Sequence, residues 1–337
     1  MKFLPKTNKE KRLIALYAAA LLLILLALAA GVGVGSTYIS PLRVLSALMG
    51  KGDGADVNII RYVRLPRVLG GIFCGGALAL SGAVIQSVLS NRLASPSVIG
   101  VNSGACLFVT VGCALGITGG IYLSALAFLG ALVSCAAISL GAKKFGASGG
   151  TVILMGVALN SLFGALSDTA LTLFPDTGIL SNDFRIGGFS SVTYQRLLPA
   201  AALIALMFIL LLLTSPSLEV LTLGEERAQS LGLQARLTSA LFLALAALLA
   251  GAAVSVCGGI SFIGLLVPHA LRRIIGGRIK HLLPLSALCG GWFVSLCDTL
   301  SRVIFSPYEI PVGVIMAFLG APLFLAILIK GRKERGL

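Results

Sequence analysis

Charge is what this chain is short of. Only 11% of its 337 residues are Asp, Glu, Lys or Arg, whereas a soluble domain carries about 25%. So few polar side chains do not cover a globule in water. Acidic residues are the scarcest class, 12 against 26 basic ones. Histidine occurs twice, which leaves no His/Asp/Glu cluster for a metal site or a hydrolytic centre. No GxxxxGK[ST] string is present, so ATP-powered work would need an ATPase on another chain. The seven cysteines are odd in number and form no CxxC pair, and all lie in apolar segments. They read as small buried hydrophobes rather than metal ligands or a disulfide framework. A cleavable signal is also missing: the first apolar run is too long for one and has no small-residue cleavage site after it.

What fills the chain instead is apolar, 57% of residues with mean hydropathy +1.02. Runs long enough to span a bilayer fall at about 12–35, 65–89, 97–116, 119–141, 151–173, 196–214, 236–256, 259–276, 283–303 and 310–330. The stretch 236–276 is nearly continuous. Gly258-Gly259 and Pro268 punctuate it, so it divides into two spans, the second one broken. The fold class is therefore all-α: a polytopic transmembrane bundle of about ten helices, one domain over 1–337. The 41 glycines suit close helix contact. Gly71-xxx-Gly75 and Gly116-xxx-Gly120 have the required spacing, which a Gly-rich chain also produces by chance.

The net charge of +14 raises nucleic acid as a partner, but the basic residues sit in short connections between apolar runs. With the N-terminus inside and ten spans, 18 of the 26 Lys and Arg fall on the cytoplasmic side. Both termini are thus expected in the cytoplasm of a cell-membrane protein.

Arg61, Arg64 and Arg67 run against that bias at the outer face. Pro66 suits a first helical turn, and Arg64 and Arg67 share a face. The cluster reads either as a docking patch for an acidic partner or anionic cargo, or as snorkelling anchors of a span end; spacing alone favours anchors. Asp298 and Arg302, four apart, form an intrahelical ion pair or add to the outer basic patch. On the inner side, Leu221 to Leu233 reads as a short amphipathic helix. Glu225 and Glu226 stand at its start, with Gly224 before it and Gly232 after it. It is a contact for a cytoplasmic motor or an ordinary interfacial helix. His269, after Pro268, reads as structural. Asn160 and Asp168 are polar positions in the fifth span that face a cavity or the bundle interior.

Several strings now resemble a known family. RLPRVLGGIFCGGALALSGAVIQSVLSNRLASPSVIGVNSGA (Arg64 to Ala105), GGISFIGLLVPHALRRIIG (Gly258 to Gly276), CDTLSR, EIPVGVIMAFLGAPLF (Glu309 to Phe324) and LTLGEERAQSLGL are similar to segments of the FecCD-type permeases. These are the membrane subunits of ABC importers for iron-siderophore complexes, haem and cobalamin. Arg92 stands where the family usually has Pro. The resemblance implies a type II ABC importer permease fold with no catalysis on this chain. No cofactor is expected on it either, since ATP and Mg belong to the partner ATPase. It implies a second permease subunit, identical or not, two cytoplasmic ATPases and an extracytoplasmic binding protein. By the same resemblance Arg64, Arg67 and Arg302 serve binding-protein docking. Leu221, Gly224, Glu225, Glu226, Arg227, Ala228, Gln229, Leu231 and Gly232 serve ATPase coupling. Ser148, Gly149, Gly150 and Thr151 stand, by position, at the family's cytoplasmic gate. The rival is a self-sufficient secondary transporter or channel. That rival needs intramembrane acids for ion coupling, and Asp168 and Asp298 are the candidates.

Overall fold

The structure, a computed structural model, describes residues 6–35, 39–51, 53–145 and 149–333. Helices account for its regular structure, and no strand occurs among the described residues. The end bearing Arg43, Lys51 and Arg61 is the outer end in the orientation the basic residues set; the opposite end is the inner one. From the inner end, α1 (Lys6–Gly33) climbs outward. Two short outer helices, α2 (Pro41–Leu48) and α3 (Gly54–Asn58), lead to α4 (Leu65–Val88), which descends. Next α5 (Val101–Ala114) climbs, α6 (Gly120–Phe145) descends and α7 (Gly149–Leu173) climbs, with the short α8 (Gly178–Ile186) after it. Then α9 (Tyr194–Leu213) descends to two short inner helices, α10 (Ser215–Leu221) and α11 (Glu225–Ser230). Finally α12 (Ala235–Cys257) climbs, α13 (Ile263–Ile275) descends, α14 (Ile279–Val303) climbs and α15 (Val312–Lys333) descends. The passes follow the expected spans.

Seven stretches among the described residues are long and apolar enough to cross a bilayer unaided. The longest is Gly54–Val88, where α3 and α4 join through a π-turn at Ile59–Arg64. The expected outer loop 36–64 is thus partly helix, and Pro66 sits within a longer rod. A proline has no N–H for the carbonyl one turn back, and a widened turn relieves that strain.

Glycine packs the centre. The α4 helix is buried nearly throughout, whereas α1 and α7 turn most of their surface outward. A Cβ on Gly75 would lie 2.5 Å from the Gly290 carbonyl oxygen, and one on Gly71 would lie 2.8 Å from Ser295 Oγ. Helices this close gain dispersion contact that larger residues would forbid. The Gly71/Gly75 pair is therefore a real crossing, of α4 on α14. The Gly116/Gly120 pair is not: Gly116 is a turn residue at φ +81° with open space around it, and Gly120 lies near the Arg196 side chain.

Two passes are broken. The span expected over 97–116 is helical only across Val101–Ala114, about 21 Å at 1.5 Å per residue, short of a ~30 Å hydrocarbon core. Residues 89–100 before it form turns, yet Ala94, Ser95 and Ile99 are buried. Similarly α12 stops at Cys257, and α13 starts at Ile263 after the irregular 258–262 segment. The split at Gly258-Gly259 is as expected. Irregular backbone at this depth survives only with internal partners. Asn160 Nδ2 donates to the Ser97 and Val98 carbonyls (3.1 and 3.2 Å), and Ser134 Oγ donates to the Gly100 carbonyl (2.7 Å). Pro268 in α13 has no N–H for the carbonyl four residues earlier, Gly264; Gln86 Nε2 donates to that oxygen instead (3.1 Å).

Gly75→Val forces a branched side chain against backbone. Overpacking of this kind costs about 1–3 kcal/mol, and here the neighbour cannot rotate away. Gly164→Ala in α7 meets nothing within 4 Å. In detergent, Gly75→Val should lose most of its monodisperse fraction and melt earlier, while Gly164→Ala should match the parent. Equal behaviour of the two variants would refute the glycine-packed centre.

Candidate functional site

At the outer end the three arginines do not face water. Arg64, Arg67 and Arg302 are 5%, 7% and 3% exposed. Arg67 Nε donates to both carboxylate oxygens of Asp298 (2.9 and 3.1 Å), and its Nη1 donates to Glu309 Oε2 (2.8 Å). Arg302 pairs with the same Asp298 (3.4 Å) one turn away, as its spacing implied, and its Nη1 donates to the Gly31 carbonyl (3.0 Å). Arg64 Nη1 donates to the carbonyls of Val32 and Gly33, each at 2.9 Å. Gly31, Val32 and Gly33 end α1, and the last carbonyls of a helix lack intrahelical donors and carry its partial negative charge. Two arginines thus cap α1, and the third clamps α4 to α14 and to the segment before α15. The outward cations of this face are Arg43 and Lys51, with Arg61 half-buried.

Beside Arg67 and Glu309 a cavity of about 810 Å³ opens, walled also by Asp183, Phe189, Gln195 and Arg196. Its floor is backbone. Gly188 N donates to the Cys257 carbonyl, Gly259 N to the Phe184 carbonyl (both 2.9 Å) and Gly313 N to the Gly187 carbonyl (3.1 Å). Gly187 and Gly258 hold φ +81° and +70° there, which side chains disfavour.

Beyond that floor lies a second pocket of about 300 Å³, walled by Asn102, Ser103, Asn160, Ser167, Arg185 and Ser261. Asn160 is near the middle of α7, which sets the pocket's depth. At its rim Arg185 pairs with Asp168 (3.0 Å). Of this group the sequence singled out only Asn160 and Asp168. Asn160, Gly164 and Ser167 recur at a helical interval, a small polar stripe that could have marked the pocket.

At the inner end α11 forms where expected. Gly224 (φ +102°) and Gly232 (φ +83°) bracket it. Leu221 and Ala228 are buried in the core, which anchors it, while Glu225, Glu226, Arg227, Gln229 and Leu231 face outward. Leu223 and Leu231 leave two apolar side chains exposed beside the acidic pair, 50% and 66% accessible. Of the gate residues, Gly149, Gly150 and Thr151 open α7; Ser148 lies outside the described residues. His269 is buried in α13.

These features bear comparison with known proteins. Residues 21–330 match the FecCD transport family. The chain belongs to that family. It is 35% identical over 331 residues to the Fe(3+)-citrate import system permease protein YfmE of Bacillus subtilis, covering 97% of this chain and 99% of that protein. The iron(3+)-hydroxamate import permease FhuG of the same organism is 32% identical, with 96% and 99% covered. The vitamin B12 import permease BtuC of Vibrio cholerae is 35% identical, with 88% of each covered. Among solved structures, a metal-chelate type ABC transporter in an inward-facing conformation superposes with a TM-score of 0.83 at 29% identity, covering 95% of this chain and 99% of that one. The chain is thus a multi-pass ABC importer permease with the type II fold, a transport subunit rather than an enzyme.

Removing Asp298 leaves Arg67 and Arg302 buried without their shared carboxylate. Losing one partner of a buried pair costs about 3–5 kcal/mol. The Arg43–Asp56 pair (2.6 Å), whose arginine is exposed at the surface, is the contrast, since surface pairs give about 0–1 kcal/mol. Asp298→Ala should lower the melting temperature sharply, and Arg43→Ala should scarcely move it. A family permease that tolerated Asp298→Ala with no loss would show the outer clamp to be dispensable.

Proposed function

We propose that this permease passes an iron-siderophore-type metal chelate into the cytoplasm, driven by two separate ABC ATPases and supplied by an extracytoplasmic binding protein. On this reading two permease copies, identical or paired with a relative, enclose the path in the cell membrane, with both termini in the cytoplasm. Cargo of this class is supported by the relatives, whose names give ferric citrate, ferric hydroxamate and vitamin B12.

The observation that carries the reading is α11. It is pinned from below by Leu221 and Ala228 and offers Leu223, Glu225, Glu226 and Leu231 outward. A six-residue helix flanked by two exposed leucines, Leu223 and Leu231, is poorly suited to water and well suited to a cleft in a partner. Glu225 pairs with Arg236 of α12 (3.3 Å) at the surface. On the outer side, Arg64, Arg67 and Arg302 serve docking as fixed supports of the rim. The charges that meet an acidic partner first are those of Arg43, Lys51 and Arg61, and such rim charges speed and orient encounter more than they add affinity. The first turn of α7, around Gly149 to Thr151, closes the inner mouth on the same reading. A self-powered transporter is disfavoured because its two candidate acids are engaged: Asp168 holds Arg185, and Asp298 holds Arg67 and Arg302.

The test is co-purification and reconstitution. The tagged chain should bring down an ABC ATPase and, in proteoliposomes with it and the binding protein, should accumulate iron chelate only with ATP. Leu231→Asp with Glu226→Arg should release the ATPase or abolish its stimulation by loaded binding protein. Full stimulation in that double variant would exclude α11 as the coupling element.

A further inference from the structure

We infer that the polar pocket at mid-depth is a cargo contact suited to a neutral metal chelate whose periphery donates hydrogen bonds, through amide N–H or hydroxyl groups. The inference deepens the proposed import function and rests on it.

The wall chemistry excludes two other kinds of cargo. No aromatic or branched aliphatic side chain lines the pocket among the described residues. A flat macrocycle such as haem is gripped mainly by apolar area, and that area is missing. An anionic chelate presents acceptors and needs donors or net positive charge. The amide and hydroxyl donors of Asn102, Asn160, Ser103 and Ser167 are engaged within the chain. Asn160 Nδ2 donates to the Ser97 and Val98 carbonyls, and Asn102 Nδ2 donates to the Ile260 carbonyl (3.1 Å). Ser103 Oγ lies 2.7 Å from Asn160 Oδ1 and 3.0 Å from the Gly100 carbonyl, either of which takes its proton. Ser167 Oγ donates to the Phe163 carbonyl (2.8 Å). Arg185, the cation of the rim, is paired with Asp168.

What these groups still offer is lone pairs. Each serine oxygen retains acceptor capacity after donating its single proton, and an amide oxygen accepts twice. Asn160 Oδ1 receives only Ser103, and Asn102 Oδ1 has no partner among the described residues. A surface of acceptors matches a cargo that brings donors. It also penalises carboxylates, which lose water without gaining partners. Because neutral hydrogen bonds made in exchange for water are individually weak, about 1 kcal/mol each, such a wall holds cargo loosely, as a passage should.

The experiment offers radiolabelled cargoes singly to proteoliposomes containing the permease, its ATPase and its binding protein. The probes are a neutral ferric trihydroxamate, cobalamin with its peripheral amides, anionic ferric dicitrate, and haem. ATP-dependent uptake should be fastest for the trihydroxamate or cobalamin. Faster uptake of ferric dicitrate or haem would overturn the inference while leaving the import function standing. Absence of ATP-dependent uptake for every probe would overturn both. Gly164 borders the pocket, and a side chain there enters open space. Gly164→Arg adds donors and a positive charge, and should lower uptake of the neutral probe about tenfold in a complex that still co-elutes with its ATPase. Unchanged or increased uptake would overturn the acceptor-wall argument. If that variant fails to assemble, Ser167→Ala removes one acceptor and should cost about threefold; no change there overturns it equally.

Discussion

The whole arrangement depends on one constraint: inside a bilayer every backbone N–H and C=O must find a partner within the protein. Unbroken helices meet it without help, and most of this chain is built of them. At two places the chain does otherwise, and the polar pocket lies beside them. Residues 89–100 and 258–262 leave the helical path within the bundle, and carboxamides on neighbouring helices take up the slack. Asn160, Asn102 and Gln86 each donate to a carbonyl that no helix satisfies. The donors of Asn160 and Asn102 are spent in this way, so the faces these two leave toward the pocket are acceptors. The wall's chemistry is thus a by-product of holding the broken backbone together.

The same economy governs the outer end. A guanidinium taken out of water needs several good partners, and here the partners are structural. Arg64 and Arg302 meet the carbonyls that end α1, where a cation is favoured by the helix dipole and by unmade hydrogen bonds at once. Arg67 joins three segments far apart in sequence through Asp298 and Glu309. The rim is thus held stiff from beneath, and on the proposed reading that stiffness would lower the ordering cost of docking a binding protein there.

The succession of passes was legible because hydropathy reports the bilayer directly. The breaks were only half legible. Gly258-Gly259 signalled one of them. The other lay hidden in SPSVIG, which is apolar enough to read as span, and whose partner, Asn160, is 60 residues away in sequence. Spacing put Arg64 and Arg67 on one face but was silent about what that face meets, since α1, Asp298 and Glu309 are brought in by the fold. Glycine spacing had the same limit: Gly71/Gly75 is a crossing and Gly116/Gly120 a turn, and only the neighbours tell them apart. The motif blocks carried more than their spacing showed. Gly82 and Gln86 from one block and Gly264 and Pro268 from another meet at a single point, where the proline frees the carbonyl that the glutamine takes.

On the proposed coupling reading, the packing of α11 and α12 links the inner face to the second irregular segment. The α11 helix packs on the start of α12 and is tied to it through Glu225 and Arg236. The α12 helix is 23 residues long, a rod of about 35 Å at 1.5 Å per residue, and it is largely buried against α4 and α6. Its far end is Cys257, and the two glycines beyond it make the backbone floor between the outer cavity and the polar pocket. A packed helix transmits displacement along its axis because the close-packed interior around it is stiff. The floor is held by backbone hydrogen bonds from Gly188, Gly259 and Gly313. On the proposed coupling reading, a displacement of α11 would travel along this rod to the 258–259 segment, between the outer cavity and the polar pocket.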